Sequence, residues 1–486
     1  MAHTKQTALS SCGGTAKHVS LKPRTLKTEA PPEALQLEVA KATVPAQALE
    51  MVRSHLDVRS GPPKNHFCML CQGGVAEGVS IYECNEPDCP RVMCTRCISI
   101  PSNCVQEVTQ PGVKFCCIHC HTSSDKKLNQ LTLYYGFLRD GEPVLPTFLE
   151  VCGQLEFSKR SQISSAPILI VHFKLAGCGA TASPIDATHT FLAPYFPHGG
   201  LCLVNVVFDL ADIDYYSKQC VKLVNDVMED RKYEFVCIAI TDHTNNAIGA
   251  VPEFMDTLLD PWRNVIRRAK DTTLFLLGCG AIVNQPENFR GLRTSIVNHR
   301  ISSAVAFTAK HFRPTSACHF MISFAQSVLI ECFPLRKAFP KILDQSELGM
   351  HSDVILMSVT SGDNHDGLAM LLQCTRYSWA HVTARPWGNT LPIQCPQCGC
   401  PTQWQKSHAD TSRKCSVFKC SYAGCGRVNG KPSERLPRKK FTCKAPKGAI
   451  LLPGRRRNAC WLQIPLDFSR PNAVTGFLDS SDTETV

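Results

Sequence analysis

The sequence predicts a multidomain protein. It has a small metal-stabilised cysteine finger, a central α/β domain on a mostly parallel sheet, and a second small cysteine module toward the C-terminus. Three observations predict this. Cysteines pair at short spacings in two stretches, 68–120 and 395–425. Solid apolar runs alternate with helix-length segments over 165–375. Basic charge collects in particular segments instead of being spread along the chain.

The bulk composition narrows the class. A chain of 486 residues, 44% of them hydrophobic, has room for roughly two to four domains and at least one sizeable core. No run of eighteen uncharged apolar residues occurs, so no membrane-spanning helix is expected. The N-terminus is polar and lacks the apolar stretch of a secretory signal, which points to the cytosol or nucleus. In such a chain, 28 cysteines with paired C-x-x-C spacing suggest metal ligation over disulfides. Cysteines outside the pairs read as small buried hydrophobes.

Residues 1–64 read as a tail. Six prolines lie in it, with a short amphipathic helix around Pro32–Val58 where Leu35, Leu37, Val39 and Ala40 recur. The finger, 66–122, follows with the spacing Cys68-x2-Cys71, Cys84-x4-Cys89, Cys94-x2-Cys97 and Cys117-x2-Cys120. Four pairs supply two sites of four thiolates each. Soft thiolates in sets of four suit tetrahedral zinc. A cross-brace places Cys68, Cys71, Cys94 and Cys97 on one ion, and Cys84, Cys89, Cys117 and Cys120 on the other. The segment 66–122 is poor in apolar residues, so ligation must supply most of its folding energy, on the order of 10 kcal/mol per site. Residues 123–160 read as a connector with a short helix.

The stretch Cys84-Asn-Glu-Pro-Asp-Cys-Pro-Arg-Val-Met-Cys-Thr-Arg-Cys97 and the ending Phe115-Cys-Cys-Ile-His-Cys-His121 resemble the all-cysteine PHD part of ADD modules, found in de novo DNA methyltransferases and chromatin remodellers. The aromatic-x-C-x-x-C ending selects Cys117 over Cys116. A usual PHD finger has His where this chain has Cys94, and the GATA-like finger of a full ADD module is not visible. A RING finger uses a similar cross-brace. The resemblance implies binding of an unmodified histone H3 tail, which adds a strand beside Val79–Glu83. Glu77, Glu83, Glu86 and Asp88 would face its lysine ammonium. Residues Ala2–Ala16 themselves resemble the histone H3 tail, matching it at ten of fifteen positions, with His3, Leu9 and Ser10 among the departures. The expected partner of the finger is therefore a histone H3 tail or this chain's own imitation of it.

The domain at 160–378 carries strand-like runs at Ile168–Phe173, Leu201–Phe208, Phe235–Ile240, Thr273–Leu277 and Ala304–Phe307. Helix-length segments at Asp214–Asp230, Pro252–Lys270, Pro286–His299 and Ser316–Cys332 lie among them. Apolar strands alternating with helices indicate a sheet covered on both faces. No glycine-rich phosphate loop follows any strand, so no nucleotide cofactor is expected. His243 follows the third run and Cys279 the fourth, at the carboxyl ends where α/β sheets place ligands. A thiolate beside an imidazole is competent for acyl transfer. The order His then Cys, 36 residues apart, resembles caspase-like and CHAT-type peptidases. Thr244 and the Leu277-Gly-Cys-Gly-Ala281 context depart from their motifs.

Toward the C-terminus, a module at 393–428 carries Cys395-x2-Cys398 and Cys420-x4-Cys425, the spacing of a zinc ribbon, with Cys400 and Cys415 as substitute ligands. From Gln403 to Arg457 there are fifteen Lys/Arg against Asp410 and Glu434. The Arg435–Arg457 region is accordingly expected to contact nucleic acid or to direct nuclear import. Residues 429–486 read as a basic and then acidic tail. The leading expectation is a nuclear, chromatin-associated, zinc-binding protein around a non-catalytic α/β domain. The alternative is a caspase-like cysteine peptidase regulated by its fingers.

Overall fold

The computed structural model describes residues 64–153, 163–176, 183–209, 212–228, 232–241, 251–362, 369–401, 404–410, 412, 414–425, 437–452, 454 and 458–466. The histone-like tail, the helix at Pro32–Val58 and the acidic C-terminal stretch lie outside these residues, as does His243.

The finger contains seven short strands: β1 (Ile81–Glu83), β2 (Val92–Cys94), β3 (Ile98–Ser99), β4 (Val113–Phe115), β5 (Phe137–Arg139), β6 (Glu142–Pro143) and β7 (Glu150–Val151). β1 pairs with β2, β3 with β7, and β4–β5–β6 form a third small sheet. The segment after residue 122, expected to be a connector, belongs to this module. The helix Ile118–Leu128 grows directly from the candidate ligand Cys117, and Phe137, Leu145 and Leu149 are buried with Met69, Met93 and Phe115. Those later residues supply apolar area that 66–122 lacks.

The central sheet has nine strands. β8 (Ile168–Leu175), β9 (Leu201–Phe208), β10 (Phe235–Thr241), β11 (Asp271–Leu276) and β12 (Ser303–Phe307) are parallel, in the order β9-β8-β10-β11-β12. β13 (Val354–Gly362) and β14 (Ala369–His381) continue the sheet antiparallel. A separate sheet of β15 (Trp404–Asp410), β16 (Cys415–Cys420) and β17 (Lys440–Lys444) follows in the chain. β18 (Ile450–Leu452) and β19 (Ala459–Leu466) then return to the central sheet, β19 pairing with β14.

Two expectations are corrected here. The sheet is mixed, not mostly parallel, because the chain turns back through β13, β14, β18 and β19. The ribbon-like module is an insertion into the α/β domain that runs through β17, and part of the expected 429–486 tail is strand. Short runs such as Ile450-Leu-Leu and Ala459-Cys-Trp-Leu are hard to separate from loop when basic residues surround them.

Strand alternation divides the core. Leu169, Val171 and Phe173 face the helices Ile213–Met228, Val251–Leu259 and Pro286–Asn298; Ile168 and Ile170 face Pro184–Leu192, Cys318–Phe324 and Leu335–Gln345. The expected helix Pro252–Lys270 breaks at Asp260–Trp262, because Pro261 has no N–H to donate.

A buried histidine sits within the sheet. His172, 1% exposed, shares a 2.9 Å hydrogen bond with the Thr241 hydroxyl. Burial, and then the Lys174 charge, pull its pKa from 6.5 down to about 4. The unfolded chain therefore binds the extra proton. Stability present above pH 6.5 should be lost as pH falls toward 4, by up to about 3 kcal/mol. Urea unfolding at pH 4.5 and 7 tests this: H172Q should remove most of the difference, and an unchanged difference refutes the assignment.

Candidate metal centres and active site

Three groups of four cysteines converge. Cys68, Cys71, Cys94 and Cys97 form one, Cys84, Cys89, Cys117 and Cys120 the second, and Cys395, Cys398, Cys420 and Cys425 the third; in each the sulfurs lie within 4.8 Å of one another. The Cys71–Cys94, Cys89–Cys117, Cys395–Cys425 and Cys398–Cys420 sulfurs are 3.6, 3.8, 3.9 and 3.9 Å apart. A tetrahedron of sulfurs about 2.3 Å from a central ion has edges of about 3.8 Å. A disulfide would need about 2.05 Å. The clusters thus have the dimensions of tetrathiolate metal centres and could each hold a metal ion.

Local chain geometry builds each centre. In the first, the Leu70 and Cys94 amides donate to Cys68 Sγ at 3.5 and 3.3 Å, and the Gly73 amide donates to Cys71 Sγ at 3.4 Å. In the second, the Cys117 amide donates to Cys84 Sγ at 3.3 Å. Donors aimed at sulfur partly offset the charge that four thiolates bring. Hydrogen bonding from Cys117 holds the Cys89 thiol down to about 6. Burial opposes ionisation of Cys94, yet hydrogen bonds from the Cys71 thiol and the Arg96 amide hold it at about 7. In the third centre, Gly399 at φ +70° makes the tight turn behind Cys398 that a side chain would strain, and its amide donates to Cys395 O at 2.9 Å. Cys400 and Cys415, the substitute ligands, stay outside that cluster, as Cys116 stays outside the second.

A strap joins the finger to the α/β domain. Lys64 Nζ donates to the carbonyls of ligands Cys84 and Cys89 at 2.5 and 2.8 Å. The His66 amide donates to Ser165 Oγ at 2.9 Å, and the Phe67 ring meets that of Tyr195 at 6.0 Å. Glu77, Glu83, Glu86 and Asp88 are all exposed, and β1 pairs only with β2 among the described residues.

Cys279 lies just past β11, half-exposed, beside a small cavity of about 20 Å³ walled by Ile240, Phe254, Ile282 and Phe307. Its loop is held from both sides. The Leu277 amide donates to Ile240 O at 2.8 Å, the Gly280 amide to Ala309 O at 2.7 Å, and Asn284 Nδ2 to Thr308 O at 2.9 Å. A Cβ on Gly280 would sit 2.4 Å from the Thr308 carbonyl oxygen, which is backbone and cannot swing away. G280A should therefore displace the Cys279 loop and cost about 1–3 kcal/mol, read as a lowered urea midpoint.

The Thr308 edge continues into a cluster that sequence patterns did not single out. Thr308 N donates to Asp353 O at 3.1 Å. Asp353, 2% exposed, accepts from Arg376 Nε at 2.9 Å, Arg385 Nη2 at 2.9 Å and Ser378 Oγ at 2.9 Å. Its only sequence signal is an acid directly before the apolar run Val354–Met357. D353A would leave two guanidiniums without their buried partner, and a loss of about 3–5 kcal/mol is expected in urea unfolding.

No family model matches the chain, and no curated protein matches it. Among solved structures it is similar over 40% of its length to a secreted C11 cysteine protease from Bacteroides thetaiotaomicron, "iotapain", at 9% identity and TM-score 0.26, spanning 66% of that protein. It is also similar over 35% of its length to LAE5, an α/β hydrolase from the metagenome of Lake Arreo, Spain, at 14% identity and TM-score 0.22, spanning 97% of that protein. Likenesses of this size assign neither fold family nor activity.

Proposed function

We propose that the chain is a zinc-binding protein whose central domain is a caspase-type cysteine hydrolase. Zinc is the metal that tetrahedral all-thiolate donor sets suit best. The observation that carries the enzymatic reading is a register. β10 and β11 pair in parallel so that Phe235 lies opposite Asp271 and Ile240 opposite Leu276, a constant offset of 36 residues. His243 and Cys279 have the same offset of 36, each three residues beyond that last pair. Strands β10 and β11 therefore end side by side at one edge of the sheet, with Cys279 just beyond β11, and the equal offset in the sequence supports pairing it with His243. In the proposed reaction His243 takes the Cys279 proton and the thiolate attacks a peptide carbonyl carbon. The imidazolium returns the proton to the departing amine as the C–N bond breaks. Water then hydrolyses the thioester and releases the acid. A peptide library incubated with the full chain should yield cleavage products that vanish with H243A. Equal products from both proteins would end the proposal.

A second reading concerns the finger. The exposed acids Glu77, Glu83, Glu86 and Asp88 beside β1 support binding of a basic, unmodified histone H3 tail as an added strand, and with it a nuclear location. A histone-peptide array checks it: selective retention of unmodified H3 peptides is expected, and loss of that retention in E83A.

A further inference from the structure

We propose that one face of the β15–β17 sheet is a binding surface for the phosphodiester backbone of nucleic acid. The pairing registers sort this sheet into two faces. Phe418, Phe441 and Cys443 are buried on one side, with the Trp404 ring edge-on to Phe441 at 4.8 Å. On the other side Gln405 lies opposite Lys419 and Lys419 opposite Lys440, followed by the row His408, Val417 and Thr442 and then the row Asp410, Cys415 and Lys444, so the lysines outnumber the one acid three to one. Gln405, Lys440, Thr442 and Lys444 are exposed.

The Lys419–Lys440 pair is the telling feature. Like charges directly opposite each other across strands destabilise a sheet. Nothing in the fold requires two lysines there. No ion pair of Lys419 or Lys440 occurs among the described residues. Lys406, Lys414, Arg438, Lys439 and Lys447 lie in the same module, with Asp410 its only acid among the described residues. An anionic partner would turn this repulsion into attraction. A bilayer surface is disfavoured, because interfacial binding needs a broad apolar face and here the half-buried Val417 and Cys415 stand among lysine, threonine, glutamine, histidine and aspartate. Lysines act on phosphates as point charges, and phosphate contacts carry no sequence information, so recognition would be largely independent of sequence.

This inference rests on charge and register, not on the hydrolase reading, and its test is separate from proteolysis. The full zinc-loaded chain is titrated against a fluorescein-labelled 20-base-pair mixed-sequence duplex between 50 and 300 mM salt. Affinity should fall steeply with salt, and a scrambled duplex should bind within about twofold. K419E/K440E should weaken binding at least tenfold, and the milder K419Q/K440Q should reduce the salt slope by about two. Both should retain the wild-type zinc count, so that a collapsed module is not mistaken for lost contacts. Unchanged affinity in zinc-loaded variants, salt-insensitive binding, or preference for phosphatidylserine vesicles over the duplex would overturn the proposal.

Discussion

With zinc in the cysteine clusters as proposed, chelation is expected to unfold the finger while leaving the central sheet intact. In hydrogen exchange the amides of β1–β7 should lose protection and those of β8–β14 should keep it. The finger's strands are two or three residues long, and six of its eight ligand cysteines are wholly buried at the middle of its core, with Cys71 exposed and Cys120 half-buried. Without an ion, the six buried ligand thiols at the middle of that core must be desolvated with nothing to hold them together, and the apolar residues around them are few. With zinc, each centre contributes about 10 kcal/mol or more. The central sheet has two apolar faces of its own and no ligand within it. Native mass spectrometry of neighbouring variants sharpens the test. C117S should lower the zinc count from three to two, whereas C116S, one residue away and outside the cluster, should retain all three. Equal counts in the two variants would refute the assignment of ligands.

Replacing the strand-end thiol is expected to abolish hydrolysis. In the reaction proposed above C279A removes the sulfur that forms the thioester, and a loss of roughly ten-thousand-fold or more is expected in single-turnover cleavage of the best library peptide. Folding should be barely affected, since Cys279 is half-exposed and its loop is held through the amides of Leu277 and Gly280 and the side chain of Asn284. C202A, another half-buried cysteine, on β9, serves as the control and should cleave normally. Cleavage that survives C279A in a protein with a wild-type urea midpoint would assign the activity elsewhere.

The sequence by itself determined the local order of this protein. Metal-ligand spacing is a local property, and the twelve cysteines grouped by spacing are the twelve whose sulfurs converge. Solid apolar runs located β8 to β12 to within a few residues, because a strand covered on both faces is built mostly of apolar side chains. Tertiary structure decided what depends on distant residues. Whether 123–153 was linker or finger turned on Phe137 and Leu149 finding Phe115 and Met93, a pairing no spacing rule encodes. That the ribbon-like module is an insertion depended on β19 pairing with β14 some eighty positions earlier, Trp461 opposite Trp379. Asp353 anchors the Thr308 edge only because Arg376 and Arg385 reach it from the next strand and its exit turn. The offset between His243 and Cys279 was visible from the start as a number. The β10–β11 register is what makes that number the basis of the proposed pair, because it shows the two strands side by side with the same offset of 36.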